Sequence, residues 1–355
     1  VLVAQYEYTP TVGDVDGYAI GGRGEVWATD QLRFGLTGMV DQSGVADHTA
    51  VGVDVMWRYN EDTYVTGEYA RTDGPGFSNT YSSDGGLVFD TVTPAVGQGE
   101  AVMLKARVGL QDLGLKAEGS IGAYFEKRTE GFSSIDHQVL ATTGDETLWG
   151  FHADIKPNER LRYTLYGDSY ENGVGDINRK LGGEVAIGIN DRLDLTLGVE
   201  SIDIDDSVEV GSRTDVAARL DYALNETVEL YVFGQNTVAV SGLDRNDRFG
   251  IGTEVSLNNG WVIAGEYSEG TSGKGGRLTA ERDDGEGNTS YFGYELDAGR
   301  EVHGTTLVGR DRGRYFLGGT RKLSEEVTMF GESARDAFGR RRSLTSAFGV
   351  TYTPT

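Results

Sequence analysis

The chain has no cysteine, five prolines and four histidines in 355 residues. Without cysteine it holds neither a disulfide framework nor a thiolate metal site. No run of 18 apolar residues occurs, so no transmembrane helix is expected. Basic residues are also short: 32 Lys and Arg stand against 56 Asp and Glu, a net charge of −24. A phosphate binder needs a basic face, so nucleic acid is not a partner. The four histidines, His48, His137, His152 and His303, form no HExxH, no pair at metal spacing and no Ser-His-Asp order. We therefore expect no enzyme and no cofactor. The chain opens at Val1 without a signal-peptide pattern and reads as a mature or trimmed piece of a longer chain.

Glycine, at 53, and tyrosine, at 18, are abundant. Helical periodicity is scarce, while alternation with a period of two is everywhere. In "LDLTLGVES", Leu193, Leu195, Leu197 and Val199 point one way and Asp194, Thr196, Gly198 and Glu200 the other. The same alternation runs through Val51–Tyr59, Leu104–Leu110, Leu115–Glu126, Asp215–Tyr222 and Leu344–Tyr352.

The breaks fall into two classes that take turns. One is short and polar: "TDQ" near Asp30, "NED" near Asn60, "DLG" near Asp112, "NER" near Asn158, "NDR" near Asn190, "NET" near Asn225, "NNG" near Asn258 and "SEE" near Ser324. Such residues tolerate the backbone of tight hairpins. The other is longer and rich in Gly, Ser and Asp, such as "TEGFSSIDHQVLATTGDE" and "SIDIDDSVEVGS", and the longest runs from about Arg71 to Glu100. Short turn and long loop in alternation is the signature of an outer-membrane barrel, with turns on the periplasmic side and loops outside.

A repeat of roughly 33 residues, one hairpin with its loop, carries "GEYA", "YGDS", "GVES", "FGQN", "GEYS" and "FGES" in the strand after successive short turns. These markers put a carboxylate or amide on the polar face at similar depth. A propeller would show four strands per blade with similar turns throughout, which this pattern does not. The polar face carries full charges strand after strand and cannot be buried dry. A water-filled lumen accepts it, so the apolar face is expected against lipid. The expected fold is an all-β antiparallel transmembrane barrel of about 20 strands over residues 1–355, or an arc of a larger one. The rivals are a soluble acidic β-repeat adhesin and, further behind, an outer-membrane hydrolase.

Expected lumen-facing acids are Glu68, Asp168, Glu200, Glu266 and Glu332, and expected lumen-facing bases are Arg58, Lys105, Arg107 and Arg219. Opposite charges on neighbouring strands can form a ladder along the wall, and an excess of acid favours cations in an open pore. Weak calcium candidates are Asp203, Asp205 and Asp206, with lesser clusters at Asp14 and Asp16 and at Glu281, Asp283, Asp284 and Glu286. Each cluster also reads as a solvated acidic loop. Trp57, Trp149 and Trp261, with Tyr59, Tyr64, Tyr267, Tyr315 and Tyr352, suit interfacial girdles, whereas Trp27 falls on the polar face.

The alternating strands, Asn/Asp turns, acidic loops and terminal "SAFGVTYTPT" resemble a Gram-negative outer-membrane β-barrel. More narrowly, "GPGFSNTYSSDGG", "FGYELDAGRE" and "MFGESARDAFGRRRSLTSAFGVTYTPT" resemble the C-terminal barrel region of very large proteobacterial surface proteins. That resemblance implies a bilayer and lipopolysaccharide environment, with further strands or subunits of a larger surface assembly as partners. Such barrels commonly end on an aromatic residue, whereas this chain ends "YTPT". We expect Leu2–Tyr8 to need a strand partner, either Ser346–Tyr352 or strands from elsewhere, because an unpaired edge in lipid is costly.

Overall fold

A computed structural model describes every residue except 1–17, 43–46, 76–78, 82–89, 93–95, 134–143, 297–300, 303–304, 307–312, 337–343 and 354–355. Its strands are β1 (Ala19–Trp27), β2 (Leu32–Asp41), β3 (His48–Arg58), β4 (Tyr64–Pro75), β5 (Asn79–Tyr81), β6 (Asp90–Val92), β7 (Val96–Gly109) and β8 (Glu118–Arg128). The chain continues through β9 (Glu146–Asn158), β10 (Leu161–Asn172), β11 (Ile177–Asn190), β12 (Leu193–Asp205), β13 (Val210–Ala223), β14 (Val228–Ser241), β15 (Arg248–Ser256) and β16 (Trp261–Gly270). It ends with β17 (Gly273–Asp283), β18 (Thr289–Leu296), β19 (Glu301–Val302), β20 (Thr305–Thr306), β21 (Gly313–Lys322), β22 (Val327–Asp336) and β23 (Leu344–Tyr352). Two short hairpins, β5–β6 and β19–β20, stand apart. The other nineteen strands form one sheet, each antiparallel to its neighbours in chain order.

All eight polar breaks read from the sequence are connections at one end of this sheet. Side chains build them locally. The Asn60 amide oxygen accepts the N–H groups of Asp62 and Thr63, and that of Asn225 accepts those of Thr227 and Val228. These are Asx turns, which spare the backbone an unpaired donor. A ninth turn at the same end, 284–288, is built on Asp284, which accepts the N–H groups of Glu286 and Asn288. The acidic cluster there is turn chemistry. At the other end, the segment from Arg71 to Glu100 is shorter as a loop than expected, because β4 reaches Pro75 and β7 begins at Val96. "SIDIDDSVEVGS" is also mostly strand, with only residues 206–209 between β12 and β13.

The sheet has almost no apolar core. Buried hydrophobic side chains among the described residues are Ala101, Leu110, Phe132 and Ala153. A compact protein of 38.3 kDa should expose about 14,000 Å², whereas this one exposes 22,845 Å². Most exposed apolar side chains of the strands share one face, Trp27 and Phe330 being exceptions on the other. Leu195 lies opposite Ile187 and Leu220, Leu197 opposite Val185 and Ala218, and Val199 opposite Gly183 and Val216. Trp57, Tyr222, Trp261 and Tyr352 flank this band at the short-turn end, and Trp149, Tyr267 and Tyr315 at the other. An apolar band between aromatic girdles is the lipid-facing surface of a membrane barrel. Tyr64 does not join the girdle, because it lies on the polar face between Arg58 and Arg107.

An odd number of antiparallel strands leaves β1 and β23 running in the same direction. No pairing joins these two edges among the described residues. Any strand that separates them in an all-antiparallel wall lies outside the described residues, as does Leu2–Tyr8.

Candidate functional site: the polar wall

The opposite face carries the charges, and in a membrane barrel this face lines the lumen. The cross-strand registers place all five acidic markers on it. Four of the five sit in one recurring arrangement. A tyrosine on one strand lies opposite a glycine on the next, and the glycine lies opposite the carboxylate on the strand beyond. The rows are Tyr124–Gly150–Asp168, Tyr166–Gly182–Glu200, Tyr231–Gly252–Glu266 and Tyr291–Gly318–Glu332. In each row the phenol reaches over the glycine and donates to the acid. The four hydrogen bonds measure 2.7, 2.8, 2.8 and 2.5 Å in that order. Glycine is required at the middle because the ring occupies its side-chain space. A Cβ on Gly150 would sit 2.6 Å from Tyr124 Cε1, and one on Gly318 would sit 2.5 Å from Tyr291 Oη. Such close approach is one of the few uses of glycine inside a strand.

The fifth marker, Glu68, lies opposite Asp54 and Met103 instead. Asp54 is itself a tied carboxylate, only 7% exposed. Arg33, its diagonal neighbour on β2, contacts Asp54 Oδ1 at 3.2 Å, and Arg23 crosses over β2 from β1 to reach Oδ2 at 2.8 Å. Glycine again forms the floor, because a Cβ on Gly35 would strike the Asp54 carboxylate.

The four expected bases share this polar face but not one cluster. Arg58 and Arg107 lie on either side of Tyr64, and Lys105 is two residues from Arg107. Arg58 stacks on Trp27 with its guanidinium carbon 4.6 Å from the ring centre, which places Trp27 on the polar face as expected. Arg107 reaches Asp62 at 3.5 Å. Arg219 is far away on β13, paired with Asp221 at 2.6 Å and stacked 3.9 Å over the Tyr231 ring. A ladder of alternating charge runs across four strands in register, Glu266–Arg277–Glu295–Arg314. Its last step is a 2.9 Å ion pair between Arg314 and Glu295.

The calcium candidates do not converge. Among the described residues no group of three or more His, Asp or Glu side chains can hold a metal. Asp203 and Asp205 lie on the outer face of β12, opposite Ser212 and Val210. Asp206 accepts the N–H groups of Val208 and Glu209, both at 2.7 Å, and these bonds hold its carboxyl below the usual range. Asp14 and Asp16 lie outside the described residues, as do His137 and His303. His48 opens β3 and is 3% exposed. His152 lies on the polar face of β9, opposite Tyr166 and Gly122.

The four tyrosines were not foreseen from the sequence. The available signal was a polar-face tyrosine whose neighbouring strand carries glycine at the facing position.

The fold is that of Gram-negative outer-membrane β-barrels. It is similar to the siderophore receptor PirA from Acinetobacter baumannii, with a TM-score of 0.51 and 9% sequence identity over 95% of this chain and 71% of the receptor. The copper transporter OprC aligns at a TM-score of 0.49 and 10% identity, over 95% of this chain and 72% of OprC. A mutant of the Rh. blastica porin aligns at 0.43 and 13%, over 81% of this chain and 98% of the porin. The fold assignment rests on the first of these together with the apolar band. No protein-family profile and no curated protein matches the sequence.

Proposed function

We propose that the chain is the wall of a wide, water-filled passage through the bacterial outer membrane, with a preference for cations and no catalytic role. The observation that carries this reading is the polar face. Carboxylates recur on it from β3 to β22, with almost no apolar core among the described residues and an apolar band on the reverse side. A soluble adhesin of this length would need a dry core, which the four buried hydrophobic side chains among the described residues do not supply. Four of the five acidic markers accept from a phenol, which brings no positive charge to them. Glu200 also has Lys180 Nζ at 3.9 Å, and Arg277 lies opposite Glu266.

A second role, membrane anchor and scaffold of a larger surface assembly, would use the two parallel edges that the described residues leave in the sheet. It also agrees with the resemblance of the terminal segments to barrel regions of very large surface proteins.

Reversal potentials in planar bilayers under a salt gradient test the passage. We expect a cation preference that fades as salt rises, because exposed charges are screened within about 8 Å near physiological strength. Anion preference removes the cation selectivity, and no conductance removes the passage and leaves the anchor.

A further inference from the structure

We infer that each Tyr–Gly–carboxylate row is a register key that fixes three consecutive strands of the wall against slipping past one another. Glycine-rich strands with a polar face specify their register weakly, and a slip of two residues keeps every side chain on its own face. Patterning alone therefore does not reject that slip. The rows do. Around Gly182, the polar-face positions two residues away are Lys180 and Glu184, opposite Asp168 and Thr164. A slip by two in either direction would press the Tyr166 ring onto one of those side chains. Around Gly150 the corresponding residues are Leu148 and His152, and around Gly318 they are Phe316 and Thr320. Gly252 is different, because Gly250 lies two residues away. There the Phe233 ring covers Gly250 while Tyr231 covers Gly252, and the two rings stack with centroids 6.4 Å apart. A slip in one direction moves Phe233 onto Arg248 and a slip in the other moves Tyr231 onto Glu254. The carboxylate adds the third strand, because the phenol reaches it only when both neighbouring registers are correct.

The chain has no native cysteine, so introduced pairs report the register directly. Leu165→Cys with Gly183→Cys reports the native register of β10 and β11, since these residues face each other on the lipid side. Leu165→Cys with Leu181→Cys, or with Val185→Cys, reports the slips by two. The full chain assembled in outer membranes is oxidised and each disulfide yield is measured. Gly182→Ala should lower the ratio of native to slipped pairing by about tenfold, or abolish assembly, the scale of an overpacked contact. Adding Tyr166→Ala to Gly182→Ala should restore the native pair to the level of Tyr166→Ala alone, whether the single variant slips or fails to assemble. Glu200→Gln keeps an acceptor but loses the charge and the 3.9 Å contact to Lys180, so it should lower the ratio only slightly, whereas Glu200→Leu should lower it by about tenfold, the scale of a hydrogen bond to a charged group. Native pairing retained in Gly182→Ala, no restoration by Tyr166→Ala, or an unchanged ratio in Glu200→Leu overturns the three-strand key.

Discussion

The β1–β3 sector and the β8–β22 sector solve one problem with different donors. Each must hold a carboxylate against a glycine floor and tie it across an intervening strand. At Asp54 the donors are arginines, and two cations meet one buried acid. At Asp168, Glu200, Glu266 and Glu332 the donor is a tyrosine, which is neutral. Geometry alone therefore does not decide what the wall presents to the lumen. An arginine tie brings a cation to the acid it holds, whereas a tyrosine tie brings none. Cations also occur in the second sector, at Arg219–Asp221 and Arg314–Glu295 and beside two of the tyrosine-tied acids, with Lys180 3.9 Å from Glu200 and Arg277 opposite Glu266, but they do not replace the phenols in the three-strand rows. On this reading the acidic character of the lumen comes from the tyrosine sector.

Stability should separate the sectors most widely. Asp54→Ala removes the buried acid between Arg23 and Arg33 and leaves them only the half-exposed Glu25. A loss towards the lower end of the range typical of a broken buried pair, about 3–5 kcal/mol, is expected. Glu200→Ala removes one phenol bond from a wetter site, and a net loss of about 1 kcal/mol is expected. Denaturant unfolding in detergent or lipid, followed by heat-modifiable gel migration, measures both. Equal losses would erase the distinction. The reverse face supplies a control, because lipid does not sense what ties the lumen side. Val53→Arg on β3 and Leu195→Arg on β12 should each cost about 2–4 kcal/mol near the bilayer midplane and far less near the rims. A small cost at Leu195 would mean that this face does not meet lipid.

Charge should separate the sectors next. Converting Asp168 to Asn and Glu200, Glu266 and Glu332 to Gln removes four negative charges while keeping acceptors for the phenols. The cation preference should then fall towards zero in reversal-potential measurements. The charge-balanced pair Arg33→Gln with Asp54→Asn should leave it unchanged. A shift of equal size in both would place the selective charge elsewhere.

The edges allow a further distinction. Strands lie about 4.8 Å apart, so one intervening strand puts β1 and β23 about 9.6 Å apart. Disulfides fail beyond about 7 Å between Cα atoms. Cysteines placed at Ile20, Gly22 or Gly24 should therefore form no disulfide with cysteines at Phe348, Val350 or Tyr352, while a longer bis-maleimide bridges them. A disulfide in any combination would mean that the two edges pair directly, in parallel.

What was legible in the sequence follows from which constraints are local. Alternation and Asn/Asp turns depend on residues two to four apart, so the strands, the two faces and eight turns could be read. The ninth turn was read as an acidic cluster, because "DDGEGN" shows its carboxylates and hides their N–H partners. Beyond Val199, β12 looked like loop because its pattern inverts. Ile202 and Ile204 share the face of Glu200, while Asp203 and Asp205 turn outward. Outside the bilayer, lipid no longer demands an apolar outer face, so the signal fades although the ladder continues. The acidic markers were visible as a repeat. Their tyrosines were not, because they lie 44, 34, 35 and 41 residues away and meet the acids only through two cross-strand registers.

The smallest expected effect concerns a carboxylate held by neutral donors in open water. Asp112, in the link between β7 and β8, accepts from Asn60 at 3.0 and 2.9 Å and from the Thr63 hydroxyl, so it joins two links at the short-turn end. The hydrogen bond from Thr63 and those from Asn60 hold its carboxyl below the usual range. A lowered value in the folded chain means that the tie contributes fully above the ordinary carboxylate range of about 4. The contribution is lost as pH falls through the lowered value. Amide protection in residues 110–117, relative to the intrinsic exchange rate at each pH, should therefore fall only at acid pH, and Asp112→Ala should show the lower protection already at neutral pH. Asp112→Asn, which keeps one acceptor, should fall between them and lose its pH dependence. The global unfolding midpoint should hardly move in either variant, because water competes for every one of these bonds. Protection that falls equally in Asp112→Asn at low pH would assign the effect to another group and leave the neutral tie without influence on the links it joins.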